Sequence, residues 1–172
     1  MNPRKNVIFV PIITAKREIS FRRIFEREFI NIDKRFLLEG YPLIIFPEDF
    51  DHICYENSPG GGYKKKFSFR RARKILLIKE VCLGNIPYKL IYQDKRENKS
   101  ICILLEYIEF SIFVVPQPST EGVFLRLLTV ISYGKKVESV IQKQLESGIL
   151  IKNIFEAVRL RGSTASKKPT DK

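Results

Sequence analysis

Four short segments in the second half of the chain most constrain its fold. Each is rich in β-branched and aromatic residues, and turn-forming residues separate each segment from the next. The segments are Tyr88–Gln93, Ser100–Tyr107, Glu109–Val115 and Phe124–Ser132. Because consecutive strands with short connections usually pair, the pattern predicts a meander of about four antiparallel strands.

Two helical patterns precede this predicted sheet. Over Lys16–Leu38, apolar residues recur at helical spacing between mixed charges, and Gly40 is placed to end the helix. A second helix is predicted over Phe69–Val81, with Ser68 as its N-cap and Gly84 as its stop. Helices followed by an antiparallel sheet form an α+β arrangement.

The other predicted elements are shorter. Val7–Ile13 is strand-like in length and composition, and Tyr41–Phe46 is predicted to be a short strand. Lys135–Ser147 is predicted to be a helix that Gly148 stops. Ile149–Leu160 adds an apolar element whose type the pattern leaves open.

Chain length and composition fit one compact domain. The chain has 172 residues, of which 44% are hydrophobic. We predict a single α+β domain over residues 1–161, in which N-terminal helices pack on a roughly four-stranded antiparallel sheet and a helix lies at the C-terminus. A disordered basic tail is predicted over residues 162–172.

No apolar run approaches the roughly 20 residues that span a bilayer, and the N-terminus lacks a signal-peptide pattern. We therefore expect a cytoplasmic protein without a membrane partner.

The cysteines and glycines do not indicate a cofactor. Cys54, Cys82 and Cys102 are odd in number and lack the CxxC spacing of zinc sites, so we interpret them as reduced core thiols. Gly60–Gly62 has neither of the two common phosphate-loop spacings and is interpreted as a hinge or lid. We expect neither a cofactor nor a resident metal.

The net charge of +12 is concentrated in one stretch of the sequence. Between residues 64 and 79 there are several lysines and arginines and no acidic residue. Lysine supplies positive charge and arginine binds phosphate with two hydrogen bonds. A solvated basic face is the plainer interpretation, but the absence of acidic residues favours nucleic acid. The predicted RNA-binding residues are Lys64, Lys65, Lys66, Arg70, Arg73 and Lys74.

His52, the single histidine, is the first candidate for chemistry. A lone histidine often serves only local hydrogen bonding. RNA cleavage without a metal needs a base for the 2′-hydroxyl, an acid for the leaving oxygen and cations for the charge on the phosphorane. A histidine suits either proton-transfer role at neutral pH. Glu56, a tyrosine or a lysine is left for the other role, and Glu56 would share a helical face with His52 if this segment were helical.

The order of these features resembles the barnase–EndoU–colicin–RelE-like ribonucleases, in particular their phage- and toxin-associated branch. The resemblance covers about 90 residues and is carried by Phe50–Glu56, the arginine-rich Phe69–Ile75 and the later Phe124–Tyr133. It implies an α+β fold with a compact antiparallel sheet and RNA cleavage without a metal. A toxin of this kind also implies an acidic antitoxin or immunity protein as a partner.

The resemblance also implies roles for single residues. His52 would be the acid or base, Arg70 or Arg71 would bind phosphate, and Thr129 would face the scissile phosphate with Tyr133 at the end of the strand. The predicted catalytic residues are His52, Glu56, Arg71, Thr129 and Tyr133.

Two other functions remain open. One is a non-catalytic nucleic-acid-binding or interaction module, in which the basic helix contacts phosphates and His52 is structural. The other is a metal-dependent nuclease, because Pro47–Asp49 and Glu97–Lys99 loosely match the acidic and E-x-K elements of restriction-type nucleases. This second match is poor, because Glu97 is predicted at a hairpin tip, whereas such a carboxylate must lie on a core strand to hold magnesium.

Overall fold

The predicted meander is present, and further strands extend it at both edges. The computed structural model describes residues 10–32, 35–57, 65–95, 98–133 and 137–165. The strands are β1 Phe36–Leu38, β2 Tyr41–Ile44, β3 Tyr55–Asn57, β4 Lys65–Phe67, β5 Lys89–Lys95, β6 Asn98–Leu105, β7 Phe110–Ser119, β8 Gly122–Ser132 and β9 Ile149–Ile151. The helices are α1 Glu18–Phe25, which a π-helix at Glu26–Ile30 continues, α2 Asp49–Cys54, α3 Phe69–Ala72, α4 Leu77–Cys82, a 3₁₀-helix at Glu106–Ile108, α5 Val137–Glu146 and α6 Ile154–Ala165.

The main sheet has seven strands in the order β1-β2-β8-β7-β6-β5-β9. The meander β5 to β8 is antiparallel, but β2 runs parallel to β8, with Leu43 opposite Leu125 and Ile44 opposite Arg126. Strand β1 pairs with β2 and β9 pairs with β5, both antiparallel. The predicted architecture, an α+β fold on a roughly four-stranded antiparallel sheet, is therefore wrong, because the sheet is mixed and larger.

The long helix predicted over Lys16–Leu38 is also wrong in its second half. The helical backbone ends at Ile30, and Phe36–Leu38 forms β1. Glu39 and Gly40 both have positive φ angles, and they form the turn that folds β1 back onto β2. This tight turn and the strand pairing override a helical spacing of apolar residues that ran on past Ile30.

The N-terminal segment is not a strand where the structure describes it. Residues 10–13 of the predicted Val7–Ile13 strand have no regular secondary structure, and the rest of that segment lies outside the described residues. The backbone amide of Ile13 instead donates to the carbonyl oxygen of Arg73 at 3.0 Å.

The predicted basic helix is present in two parts. The Ser68 hydroxyl accepts a hydrogen bond from the backbone amide of Arg71 at 3.4 Å, which confirms Ser68 as the N-cap of α3. A turn over residues 73–76 separates α3 from α4. Gly84 follows α4 with a φ of 73°, so the predicted stop is confirmed.

Phenylalanine rings from α1, α2 and β4 fill the main core on one face of the sheet. Phe25 and Phe50 are fully buried and their ring centroids lie 5.4 Å apart. The ring of Phe67 in β4 stacks on that of Phe50 at 6.3 Å. Because burying each such ring stabilises the fold by about 1.5–3 kcal/mol, α2 is held firmly against the sheet.

A second, smaller cluster covers the other face of the sheet. Because neighbouring residues of a strand point to opposite faces, Leu90 and Ile103 enter the main core while Ile91 and Cys102 enter this cluster. Tyr133 belongs to the second cluster as well. The sheet is therefore covered on both sides.

The helix predicted over Lys135–Ser147 corresponds to α5, which spans Val137–Glu146. After Gly148 the chain forms β9 and then α6. Helix α6 continues past the predicted domain limit to Ala165, and residues 166–172 of the predicted tail lie outside the described part. Among the described helices, none has the length and apolar character needed to cross a bilayer.

None of the three cysteines, which all lie in the described part of the chain, forms a disulfide bond. Cys54 and Cys102 are buried, and Cys82 is half-buried. Burial raises the pKa of the Cys54 and Cys82 thiols to about 12. Thiols with such pKa values are poor nucleophiles, so Cys54 and Cys82 act as core residues.

Candidate functional site

Helix α2 carries His52 on its exposed side. Phe50, Ile53 and Cys54 are fully buried, while His52 is exposed. The carboxylate of Asp49, on the first turn of the helix, is buried and accepts a hydrogen bond from the backbone amide of Phe46 at 2.8 Å. Burial raises the pKa of Asp49, although this hydrogen bond opposes the rise. The turn that leads into α2 is thus fixed from inside the protein.

Strand β8 meets α2 at His52. The hydroxyl of Thr129 donates a hydrogen bond to the backbone carbonyl of His52 at 2.9 Å, across 77 residues of sequence. The pairing of β7 with β8 is irregular between Phe113 and Val114, and Phe113 lies opposite Thr129. Such an irregularity re-aims side chains on the strand. The structure therefore brings Thr129 into contact with the backbone of His52.

Glu56 lies at the centre of a carboxylate–arginine cluster. Its Oε1 accepts a hydrogen bond from the Ser68 hydroxyl at 2.7 Å. The same oxygen lies 3.1 Å from Nε of Arg71 and 3.6 Å from Nη2 of Arg70. Because Glu56 is on β3, beyond the end of α2, it does not share a helical face with His52.

The cluster keeps the Glu56 carboxylate ionised. Burial raises its pKa, but the hydrogen bond from Ser68 and the charges of Arg71 and Arg70 together outweigh burial. The pKa of Glu56 is therefore below its ordinary value of 4.5. A carboxylate stabilised in this way is a weak proton acceptor at neutral pH. Glu56 suits the holding of arginines better than proton transfer.

The two arginines of the cluster differ in accessibility. The Arg71 side chain is 17% exposed, and its Nη1 donates to the carbonyl of Tyr55 at 3.2 Å. Its buried Nε lies close to Glu56 but is not aligned for a hydrogen bond with any described acceptor. Burial lowers the pKa of Arg71. The Arg70 side chain is 51% exposed, so its guanidinium is accessible from solvent, whereas that of Arg71 is held among protein groups.

The other predicted RNA-binding residues lie in different environments. Lys66 and Arg73 are exposed. The ammonium of Lys74 donates to the carbonyl of Ile108 at 2.8 Å, and burial lowers its pKa, so Lys74 serves the fold. Lys64 and the predicted Gly60–Gly62 hinge lie outside the described residues, as does the side chain of Lys65.

Tyr133 is not part of this site. It is 4% exposed, and its hydroxyl forms a hydrogen bond with that of Ser111 in the second cluster. Burial raises the pKa of Tyr133 to about 12, against the opposing effect of that hydrogen bond. Tyr133 thus belongs to the second cluster, whereas Phe50, Ile53 and Cys54 of α2 belong to the main core.

Only part of the alternative metal site of the sequence analysis lies within the described residues. The carboxylate of Asp49 is engaged by the amide of Phe46, and Glu97 lies outside the described residues. Within the described ranges, no three or more His, Cys, Asp and Glu side chains are grouped as metal ligands would be.

One exposed pair of side chains near the start of α2 was not predicted from the sequence. The guanidinium of Arg126 on β8 lies over the Phe46 ring, 5.4 Å from its centroid. The sequence carries a signal for the exposure of Arg126. It lies between Leu125 and Leu127, and this alternation of apolar and polar residues places Arg126 away from the core. Phe46 was predicted only as the end of a strand.

No family model, curated protein or solved structure matches this chain. Its class is therefore defined by geometry, as a mixed-sheet protein with an exposed histidine beside a strand threonine and a carboxylate–arginine cluster.

Proposed function

We propose that this protein is an endoribonuclease that cleaves RNA at His52 without a metal. The observation that carries the proposal is the hydrogen bond from Thr129 to the carbonyl of His52. It joins two residues that the resemblance placed in one site although they are distant in sequence. Arg70 lies on α3, whose N-cap is Ser68. The Ser68 hydroxyl donates a hydrogen bond to Glu56, which follows His52 by four residues in the sequence.

The reaction is transesterification within the RNA. The 2′-oxygen attacks phosphorus, the bond from phosphorus to the 5′-oxygen breaks, and the products are a 2′,3′-cyclic phosphate and a 5′-hydroxyl. One proton leaves the 2′-hydroxyl and one reaches the leaving 5′-oxygen. His52 is exposed, and histidine is the side chain best suited to give or take a proton at neutral pH.

The arginines supply the positive charge that the phosphorane needs. The positive charges of Arg70 and Arg71 repel each other, and the Glu56 carboxylate offsets this repulsion. Its Oε1 lies 3.6 Å from Nη2 of Arg70 and 3.1 Å from Nε of Arg71. With Glu56 in place, Arg70 can turn its exposed guanidinium to a phosphate. A donor placed in advance for developing charge is a large source of rate acceleration.

The first test is cleavage of RNA by the purified protein in EDTA. We expect tRNA or mRNA to be cut to products with 2′,3′-cyclic phosphate ends. His52→Ala should reduce the rate by about 100-fold or more, with unchanged thermal unfolding and RNA binding. Phe155→Ala, at an exposed position on α6, is the control and should cleave like the parent protein.

RNA that stays intact under conditions where the protein binds it would contradict the nuclease proposal. The second candidate, a non-catalytic nucleic-acid-binding module, would then stand. The exposure of Lys66, Arg70 and Arg73 favours it. In that case Arg70→Glu should weaken RNA binding and its salt dependence, while His52→Ala should change neither.

We also propose that the nuclease acts in the cytoplasm and is neutralised by an acidic antitoxin or immunity protein. A carboxylate-rich surface would complement Lys66, Arg70 and Arg73 and shield them from RNA. A neighbouring reading frame for a small acidic protein, whose product abolishes cleavage in a purified mixture, is the expected finding.

A further inference from the structure

We infer that Phe46 and Arg126 form a base-binding subsite, in which a nucleobase next to the cleaved phosphate stacks on the Phe46 ring and the Arg126 guanidinium. The inference rests on the proposed function, because it places a nucleotide beside His52.

Both members of the pair are anchored through their backbones. The amide of Phe46 donates to the Asp49 carboxylate at 2.8 Å, and the amide of Asp49 donates to the carbonyl of Phe46 at 3.0 Å. Arg126 lies in the middle of β8 between the buried Leu125 and Leu127. Arg126 is thus held by the pairing of β8, and Phe46, in the segment between β2 and α2, is held by its two hydrogen bonds with Asp49.

The Phe46 ring is open to solvent, unlike its neighbours in the core. Phe46 as a whole residue is 37% exposed, whereas Phe21, Phe25 and Phe50 are fully buried. Arg126 lies within the roughly 6 Å range of a cation–π contact. An exposed ring combined with a planar guanidinium is the kind of surface on which unpaired nucleobases stack.

The pair lies close enough to His52 to act on the same RNA. Arg126 precedes Thr129 by three residues on β8, about 10 Å along an extended strand. The Asp49 carboxylate interacts electrostatically with both Arg126 and His52. A phosphate at His52 therefore has the base of an adjoining nucleotide within reach of Phe46.

The test uses single-tryptophan reporters, because the chain contains no tryptophan. In a His52→Ala background, which prevents cleavage, Phe46→Trp should lose fluorescence when short single-stranded oligoadenylate binds. Phe155→Trp, at the exposed position on α6, should bind the same RNA without this loss, because α6 packs beside β6 and β9, away from β8.

Affinity gives a second measurement. Phe46→Ala in the same background should weaken oligoadenylate binding about tenfold, since stacking on one aromatic ring contributes roughly that much. Phe46→Tyr should restore the affinity. Arg126→Lys keeps the charge and loses the planar group, so it should lose affinity and keep the salt dependence. Thermal unfolding of each variant shows that its fold is intact.

The outcomes separate the subsite from the nuclease. Equal affinity for Phe46→Ala and its parent, or equal fluorescence loss at positions 46 and 155, overturns the subsite and leaves the nuclease proposal in place. Failure of the parent protein to bind RNA overturns both. Cleavage by wild-type protein together with quenching confined to position 46 supports both.

Discussion

At the scale of single residues, buried polar groups decide which predicted site residues are accessible. The hydroxyls of Tyr133 and Ser111 satisfy each other inside the second cluster. The ammonium of Lys74 satisfies the carbonyl of Ile108. A buried polar group left without a partner costs about 1–3 kcal/mol, so these side chains stay where they are. Arg70 and His52 are exposed, so water can solvate their polar groups.

Removing the Tyr133 hydroxyl tests this assignment. Tyr133→Phe leaves the Ser111 hydroxyl buried without its partner, so we expect the free energy of unfolding to fall by about 1 kcal/mol. Denaturant unfolding measures this loss. RNA cleavage should be unchanged, and a 100-fold slower cleavage would return Tyr133 to the site.

Glu56 should make stability depend on pH. Its pKa is lower in the folded protein than the ordinary value of 4.5, so the unfolded chain takes up the proton first as the pH falls. The stabilisation is therefore present above that ordinary value and is lost as the pH falls through the folded pKa. Because Glu56 is 34% exposed, solvent screens its ion pairs, and we expect about 1 kcal/mol at neutral pH.

Glu56→Gln provides the comparison for this expectation. The difference in unfolding free energy between wild type and Glu56→Gln should be largest at neutral pH and should vanish in acid. Urea unfolding at a series of pH values measures it. A difference that stays constant with pH would show that the charge of Glu56 is not the cause.

At the scale of elements, Gly148 allows β9 to approach β5. A Cβ atom at this position would lie 2.4 Å from Cγ2 of Ile91 and 2.9 Å from the carbonyl oxygen of Tyr92. Cβ atoms in proteins essentially never lie within 3.0 Å of such a neighbour. The carbonyl oxygen belongs to the backbone of β5, which cannot move aside as a flexible side chain would. The sequence pattern assigned Gly148 only a role in stopping α5.

Gly148→Ala should therefore displace β9. We expect the free energy of unfolding to fall by about 1–3 kcal/mol, as in other overpacked sites, with a lower Tm in a thermal scan. Ser147→Ala, one residue earlier at an exposed position, is the matched control and should change Tm little. Equal Tm values for both variants would mean that the backbone at 148 adjusts without cost.

Local patterns predicted the types of many elements and not their partners. The four meander strands, the strand at 41–44, the Ser68 cap and α5 were all readable from alternation, capping residues and glycines. The parallel partner of β2, the conversion of residues 36–38 into β1 and the existence of β9 were not. Strands β2 and β9 pair with the two edges of the meander, and β1 pairs with β2. The availability of such an edge is a property of the folded sheet and not of a local pattern.

At the scale of the whole molecule, the basic stretch is less isolated than in the sequence. Glu56 from β3 pairs with Arg70 and Arg71, and Glu28 pairs with Lys79 at 2.9 Å. An acid-free run in the sequence thus acquires acidic partners from other segments on folding. His52, Thr129 and Arg70 could be proposed as site residues from the sequence. The contacts of Glu56, Arg71 and Tyr133 with other protein groups are visible only in the fold.

The salt dependence of RNA binding should depend on which basic side chains are exposed and which are engaged by protein groups. Arg73 is exposed and Lys74 is bonded to a carbonyl. Arg73→Met should therefore reduce the slope of log affinity against log salt by about 0.7, the value for one single-strand phosphate contact. Lys74→Met should leave the slope unchanged and lower Tm. Titrations at several salt concentrations distinguish the two, and equal slope changes would contradict the structural role of Lys74.

The parallel pairing of β2 with β8 determines when the site forms during folding. Strands β5 to β8 can pair soon after they are synthesised, but β2 must wait for β8, and parallel pairing across a long loop is slow. His52 and Thr129, 77 residues apart, meet only at this late step. A nascent chain without β8 lacks the contact between Thr129 and His52, so we expect the proposed nuclease to stay inactive towards the RNA around it until β8 has docked.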